Sequence, residues 1–202
     1  MLVFFKRYRM QFDLRNHCFD GLTPPPNFRL LQWKPRLVAA HAEAKFRSFR
    51  DELDANVFPC LGDADGCLKL MNDISGRSNF VPEATWLVAH SDPQREYLVN
   101  CGTVQGIMDG PDLGLIQNIG IVKSYRGLGL GSLILMKSLE GFQTAGAKVV
   151  SLEVTVQNDS AMRLYERLVS KYNKSSTKAS KSPTLELAVT DVARLRANCQ
   201  QP

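Results

Sequence analysis

Residues 114–156 read as strand, glycine-rich turn, helix and strand, and that run constrains the fold more than any other part of the chain. Residues 114–123 (GLIQNIGIVK) have the apolar, β-branched content of a strand. Residues 129–145 form an amphipathic helix, with Leu135, Leu139 and Phe142 at i, i+4 and i+7. Gly146 follows, where glycine commonly closes a helix. Residues 148–156 (KVVSLEVTV) are rich in β-branched side chains and read as a strand. Two strands joined through a crossover helix lie parallel.

The remaining patterns extend this unit. Residues 3–14 and 28–33 read as strands, separated by the stiff connector Thr23-Pro24-Pro25-Pro26. Residues 35–53 and 60–74 read as helices. Leu37, His41, Ala44 and Phe49 share a face in the first, and Leu68, Met71 and Ile74 in the second. Such a pair forms a flap over one end of a sheet. Residues 85–89 and 97–108 read as antiparallel strands linked through Ser91-Asp92-Pro93, and Asp109-Gly110-Pro111-Asp112 turns the chain into the strand at 114–123. Residues 159–169 form a last helix, with Ala161, Leu164, Tyr165 and Leu168 on one face. The expected fold is α/β (α+β), a central twisted mixed sheet with helices on both faces. The expected organisation is an N-terminal extension with a strand at 1–26, a main domain at 27–170, and a Lys/Ser-rich tail at 171–202.

Composition narrows the function classes. The 202 residues, 44% hydrophobic and 22% charged, suit one globular domain. No window holds the ~18–20 consecutive apolar residues of a membrane span, and the start lacks the order of a secretory signal. A cytoplasmic protein is expected. Five cysteines without a C-x-x-C pair read as reduced thiols, and three scattered histidines show no metal-ligand spacing. Residues 1–50 carry ten basic against three acidic side chains, 51–170 nine against fifteen, and 171–202 six against two. The basic ends read as solubilising charge; without an aromatic binding motif, nucleic acid is not favoured as a partner.

The turn Arg126-Gly127-Leu128-Gly129-Leu130-Gly131-Ser132 carries the chemistry. Its glycines let the backbone turn tightly and approach a bound group closely. Successive amides and a helix N-terminus then suit a phosphate or pyrophosphate, and Arg126 adds a positive charge. A Rossmann turn fails at the sixth position, Ser132, and a Walker loop lacks its G-K-[ST] ending.

Arg126-x-x-Gly129-x-Gly131 resembles the [RQ]-x-x-G-x-[GA] signature of the GNAT superfamily of acyl-CoA N-acyltransferases. Leu152 to Tyr165 (LEVTVQNDSAMRLY) resembles that family's L-x-V-x-x-x-N-x-x-A-x-x-L-Y, and its L-E-V opening resembles the ribosomal-protein alanine N-acetyltransferases. The resemblance covers about residues 97–168. It implies a V-shaped splay between the strands at 115–122 and 149–156, with acetyl-CoA as co-substrate and no metal. The pyrophosphate would rest on residues 126–132. Ile119, Ile121 and Val122 would meet the pantetheine arm, and Gly120 would supply a bulge that opens the V. Asn158, read from its position as the last helix's N-cap, would also face the arm. The acceptor would be a peptide or small-molecule amine, and the protein a homodimer.

Transfer to a primary amine needs a lost proton, because a lysine-type amine has a pKa near ~10.4. Glu153 is the base candidate: alternation puts Ser151, Glu153 and Thr155 opposite Leu152, Val154 and Val156. The competing reading is an ion pair with Arg47 or Arg50. Tyr165, by resemblance, faces the CoA sulfur as general acid. Full proton transfer from a phenol (~10) to a thiolate (~8.5) is uphill by ~2 kcal/mol, so hydrogen bonding to the sulfur is the safer statement. A backbone N–H near Ile119 would serve the oxyanion, and Gln117 and Asn118 would orient a water or the acceptor. After residue 169 the family's usual pair of further strands is missing from the pattern; residues 185–189 read as a strand and 192–197 as a short helix. The alternative function is therefore a catalytically impaired CoA-binding module with a divergent C-terminus. A third reading is a basic interaction protein binding nucleic acid through its ends.

Overall fold

The computed structural model describes residues 7–19, 21–92, 97–173 and 186–188. One seven-stranded sheet runs through it in the order β2-β3-β4-β5-β6-β1-β7. The strands are β1 (Arg7–Asp13), β2 (Phe28–Gln32), β3 (Trp86–Ser91), β4 (Leu98–Met108), β5 (Leu113–Ile121), β6 (Val149–Thr155) and β7 (Glu186–Ala188). β2 to β5 form an antiparallel meander. β5 and β6 are parallel, as a crossover through α4 (Leu130–Thr144) requires. The mixed sheet agrees with the expectation; the short helix expected at 192–197 lies outside the described residues.

The largest departure concerns the N-terminal strand. β1 is built into the sheet, pairing antiparallel with β6 from Arg7↔Thr155 to Asp13↔Val149. β7 pairs in turn with β1. The positions beyond β6, where the pattern after residue 169 had left a gap, are thus filled, one of them from the other end of the chain. Met10 and Phe12 point into the main core, while Arg7, Arg9 and Gln11 lie on the opposite face with Ser151 and Glu153.

Helices cover both faces. α4 buries Ile134, Leu135, Leu139 and Phe142 against Val88, Val104, Val150, Leu152 and Val154. Each such side chain contributes about 1.5–3 kcal/mol on burial. On the other face lie α1 (Val38–Phe49) and α3 (Ala64–Ser75), with a short helix α2 (Leu53–Val57) between them. The helix expected at 35–53 is thus broken, because Glu52 takes an extended backbone (φ −105°, ψ 159°). In α3 the buried stripe is Cys67, Met71 and Ile74; Leu68 is 37% exposed, a correction of one position to the expected face.

β5 and β6 share a ladder only from Leu113 to Leu115 against Val149 to Ser151. Both strands then continue, to Ile121 and Thr155, with no pairing between them. The bulge that accompanies this splay sits at Gln117, where Gln105↔Asn118 is followed by Gly106↔Ile116. Gly120, expected at the bulge, pairs regularly with Thr103. Glycine stands there for a different reason: a Cβ would lie 2.7 Å from the Phe49 ring and 2.8 Å from Ser48, so its absence lets α1 lie close on β5.

Candidate functional site

The cleft between the splayed strands consists of two continuous cavities. One, of about 520 Å³, runs along Ile119, Gly120 and Ile121 to Arg126, Gly127, Gly129, Leu130, Gly131 and Ser132. The other, of about 350 Å³, lies between β5, β6, β1 and the flap. Six residues line both and mark the junction: Phe49, Asp54, Ile119, Asn158, Ala161 and Tyr165.

The glycine turn has the backbone an anion site requires. Gly127 and Gly129 take φ of +80° and +79°, a region costly for other L-residues, and Gly129 is the N-cap of α4. A Cβ at either position would meet nothing within 4 Å. Among the described residues, no main-chain carbonyl accepts from the amides of 129–132; Leu133, bonding Gly129 at 3.1 Å, is the first of the helix with such a partner. These amides, at the positive end of a fifteen-residue helix, suit a pyrophosphate.

Two expected contacts fall differently. The Arg126 guanidinium bonds the Ile121 carbonyl (2.9 Å) and the Ser48 carbonyl (3.2 Å) and pairs with Glu52 (2.8 Å). It therefore ties the flap to the end of β5, and the anion is left chiefly to the amides. Val122 lines neither cavity, and its N–H already donates to Cys101 at 2.9 Å. The Leu128 side chain is 49% exposed and outside both cavities, so the expectation for this residue rests on its amide alone. Ile119 and Ile121 do line the cleft, though the Ile121 carbonyl is engaged by Arg126.

Glu153 reaches the cleft, and alternation along β6 is as expected, with Leu152 and Val154 in the core. Its partners are not Arg47 or Arg50. Arg7 (3.0 Å) and Arg9 (3.1 Å) of β1 each hold one of its oxygens. Arg47 pairs with Glu43, and Arg50 with Asp51. Two of the N-terminal basic residues read as solubilising charge thus line the second cavity. Burial lowers the Arg7 pKa, opposed by the charges of Glu153 and Asp54.

Tyr165 is 6% exposed at the junction. Burial, reinforced by the Asp54 charge, raises its phenol well above the usual range, so it stays protonated through neutral pH. Asn158 caps α5 (Asp159–Asn173): its Oδ1 accepts from the Ala161 amide at 3.2 Å. Asp54 was missed from the sequence. It accepts from Thr155 Oγ1 at 3.0 Å and from Asn158 Nδ2 at 3.5 Å, and so joins the flap to β6 and α5. Its position in α2 gives no signal, because only packing of the flap brings it there.

Beneath β5 lies a buried polar seam. His41 Nδ1 meets Thr103 Oγ1 at 2.8 Å, Gln105 bonds the same hydroxyl, and Lys45 Nζ donates to Asn118 Oδ1 at 2.9 Å. Asn118 is the cavity-facing member. Burial, helped by the Lys45 charge, pushes His41 down to about 3.

The model of the acetyltransferase (GNAT) family matches residues 67–169, half of the chain. The chain belongs to the GNAT acetyltransferase family. Within that family it is 42% identical over 55 residues to N-alpha-acetyltransferase 30 of Schizosaccharomyces pombe, a stretch covering 27% of this chain and 37% of the relative. It is 40% identical over 60 residues to a mycothiol acetyltransferase of Corynebacterium aurimucosum, covering 30% of this chain and 20% of the relative. The chain thus aligns with little more than a third, at most, of these relatives' length. Its fold is similar to that of a GCN5-related N-acetyltransferase from Sphaerobacter thermophilus, at 20% identity and a TM-score of 0.61, covering 81% of this chain and 47% of that one. It is also similar to a chain of the NatC complex bound to Gag peptide and CoA, at 17% identity and a TM-score of 0.52, covering 70% and 83% respectively.

Proposed function

We propose that this GNAT protein transfers an acetyl group from acetyl-CoA to a primary amine, on a peptide N-terminus or a small molecule, by direct attack. The observation that carries this reading is the continuity of the cleft. It leads from amides without main-chain acceptors at 129–132, along the part of β5 that has no partner on its β6 side, to a protonated tyrosine, and opens there into a second cavity. In this reading the amides of Gly127 to Ser132 hold the pyrophosphate, with Arg126 keeping the flap in place. Ile119 and Ile121 border the pantetheine arm, beside Asn158. Tyr165 donates a hydrogen bond to the departing sulfur, and an amide near Ile119 faces the developing oxyanion. The second cavity, walled by Arg7, Arg9, Gln11 and Glu153, takes the acceptor. Holding both reactants in line supplies much of the acceleration. The N-alpha-acetyltransferase relatives support a peptide N-terminus, and the mycothiol acetyltransferases a small molecule.

The test is an acceptor screen with acetyl-CoA, read by release of CoA thiol. Thiol release that depends on both an amine and Tyr165 is expected. Saturable CoA binding without turnover of any amine contradicts transfer and favours a CoA-binding module.

A further inference from the structure

We propose that Asp54, a flap residue, is the carboxylate that receives the acceptor's ammonium group and takes up its proton. This rests on the acetyltransfer reading above. Asp54 is the acidic residue among the six that line both cavities, so it stands where the acceptor amine must meet the thioester. Among the described residues, its oxygens each accept one hydrogen bond, from Thr155 at 3.0 Å and from Asn158 at a long 3.5 Å. A carboxylate has about four lone-pair sites, so acceptor capacity is left for an N–H. Glu153, by contrast, has each oxygen engaged by a guanidinium from β1 and lines only the second cavity.

The surroundings fit a cation at this point. Asp54 is close enough to Tyr165 for its charge to act on the phenol. Its charge also acts on Arg7, which Glu153 already pairs at 3.0 Å. Thr155 and Asn158 hold the carboxylate on the β6 and α5 side while α2 brings it from the flap. An alkylammonium arriving through the second cavity meets Asp54 and gives up one proton through it to solvent. The neutral nitrogen then attacks the acetyl carbonyl carbon, the C–N bond forms and the C–S bond breaks. The second nitrogen proton leaves by the same carboxylate, and the departing sulfur, hydrogen-bonded by Tyr165, ends as the CoA thiol. The sum is amide, thiol and one proton released.

The test compares two small nucleophiles at pH 7.5 in the full chain: ethylamine, cationic there, and hydroxylamine, neutral there. Asp54→Asn keeps the size and the acceptor for Thr155 but removes the charge. Expected is a fall in kcat/KM for ethylamine at least ~100-fold greater than for hydroxylamine, the range of a general base, with acetyl-CoA affinity retained. Asp54→Glu restores part of the ethylamine rate. Equal losses for both amines, or lost CoA affinity, overturn the proposal, because Asp54 then merely holds the cleft together. A larger change in the ethylamine-to-hydroxylamine ratio in Glu153→Gln than in Asp54→Asn overturns it in favour of Glu153. Wild-type protein that binds CoA but acetylates neither these two nor any amine of the acceptor screen overturns the transferase reading itself, and is told apart because the failure then precedes any substitution.

Discussion

Phe12→Ala tests whether the N-terminal strand is a structural member of the sheet. Phe12 is 5% exposed, pairs across from Val150, and belongs to the main core with Met10, Val150 and Leu152. Truncating a buried phenylalanine costs about 3–5 kcal/mol, from lost transfer energy and the cavity left behind. Domains typically have only about 5–15 kcal/mol in total. For a chain of this size each kcal/mol moves Tm by about 2–4 °C, so a fall of roughly 6–20 °C is expected. Urea unfolding followed by far-UV circular dichroism is the more exact assay. With a slope near ~3 kcal/mol/M the midpoint drops by about 1–1.7 M at unchanged slope. Arg15→Ala is the comparison: its ion pair with Asp13 is on the surface, with 61% of the arginine side chain exposed, and its loss leaves the midpoint nearly unchanged. A Phe12→Ala protein within ~1 kcal/mol of wild type would refute the reasoning, because β1 would then be a loosely held appendage.

Two further outcomes follow from the site. Tyr165→Phe lowers kcat by about 10²–10⁴-fold if its hydrogen bond to sulfur matters as a general acid does, while CoA affinity, measured by calorimetry, is unchanged; loss of CoA affinity instead would mark a packing role. His41, held neutral with its pKa near 3, makes stability fall as pH drops from about 6.5 toward 3, since the unfolded chain binds a proton that the folded one refuses. His41→Gln removes up to ~1.4 kcal/mol per pH unit from that slope; urea midpoints at pH 6.5, 5.5 and 4.5 check it, and identical slopes would contradict it.

The strand–turn–helix–strand run was legible because every signal in it is local: β-branched strands, a 3.6-residue stripe in α4, and glycines at the three positions that need positive φ. Alternation along β6 likewise fixed which face Glu153 shares. What β6 pairs with was not legible. Arg9 and Glu153 meet across 144 residues of sequence, and no local pattern encodes such a register. The alternation of Arg7, Arg9 and Gln11 with Tyr8, Met10 and Phe12 was visible, but it shows a two-faced strand without naming the neighbour. Asp54 was hidden for the same reason, since the flap's docking on β5 through Gly120 decides where α2 lands. The bulge was misplaced because glycine permits a bulge but also permits close packing, and sequence does not distinguish the two.

Acetyl-CoA binding in this cleft depends on the amides of the glycine turn gripping a diphosphate. Two-dimensional 1H–15N NMR of the full chain titrated with CoA reads those amides directly. Saturable downfield shifts of the Gly127, Gly129 and Gly131 amides are predicted, with smaller shifts at the same amides on adding inorganic pyrophosphate. CoA binding that leaves all three unmoved would contradict it.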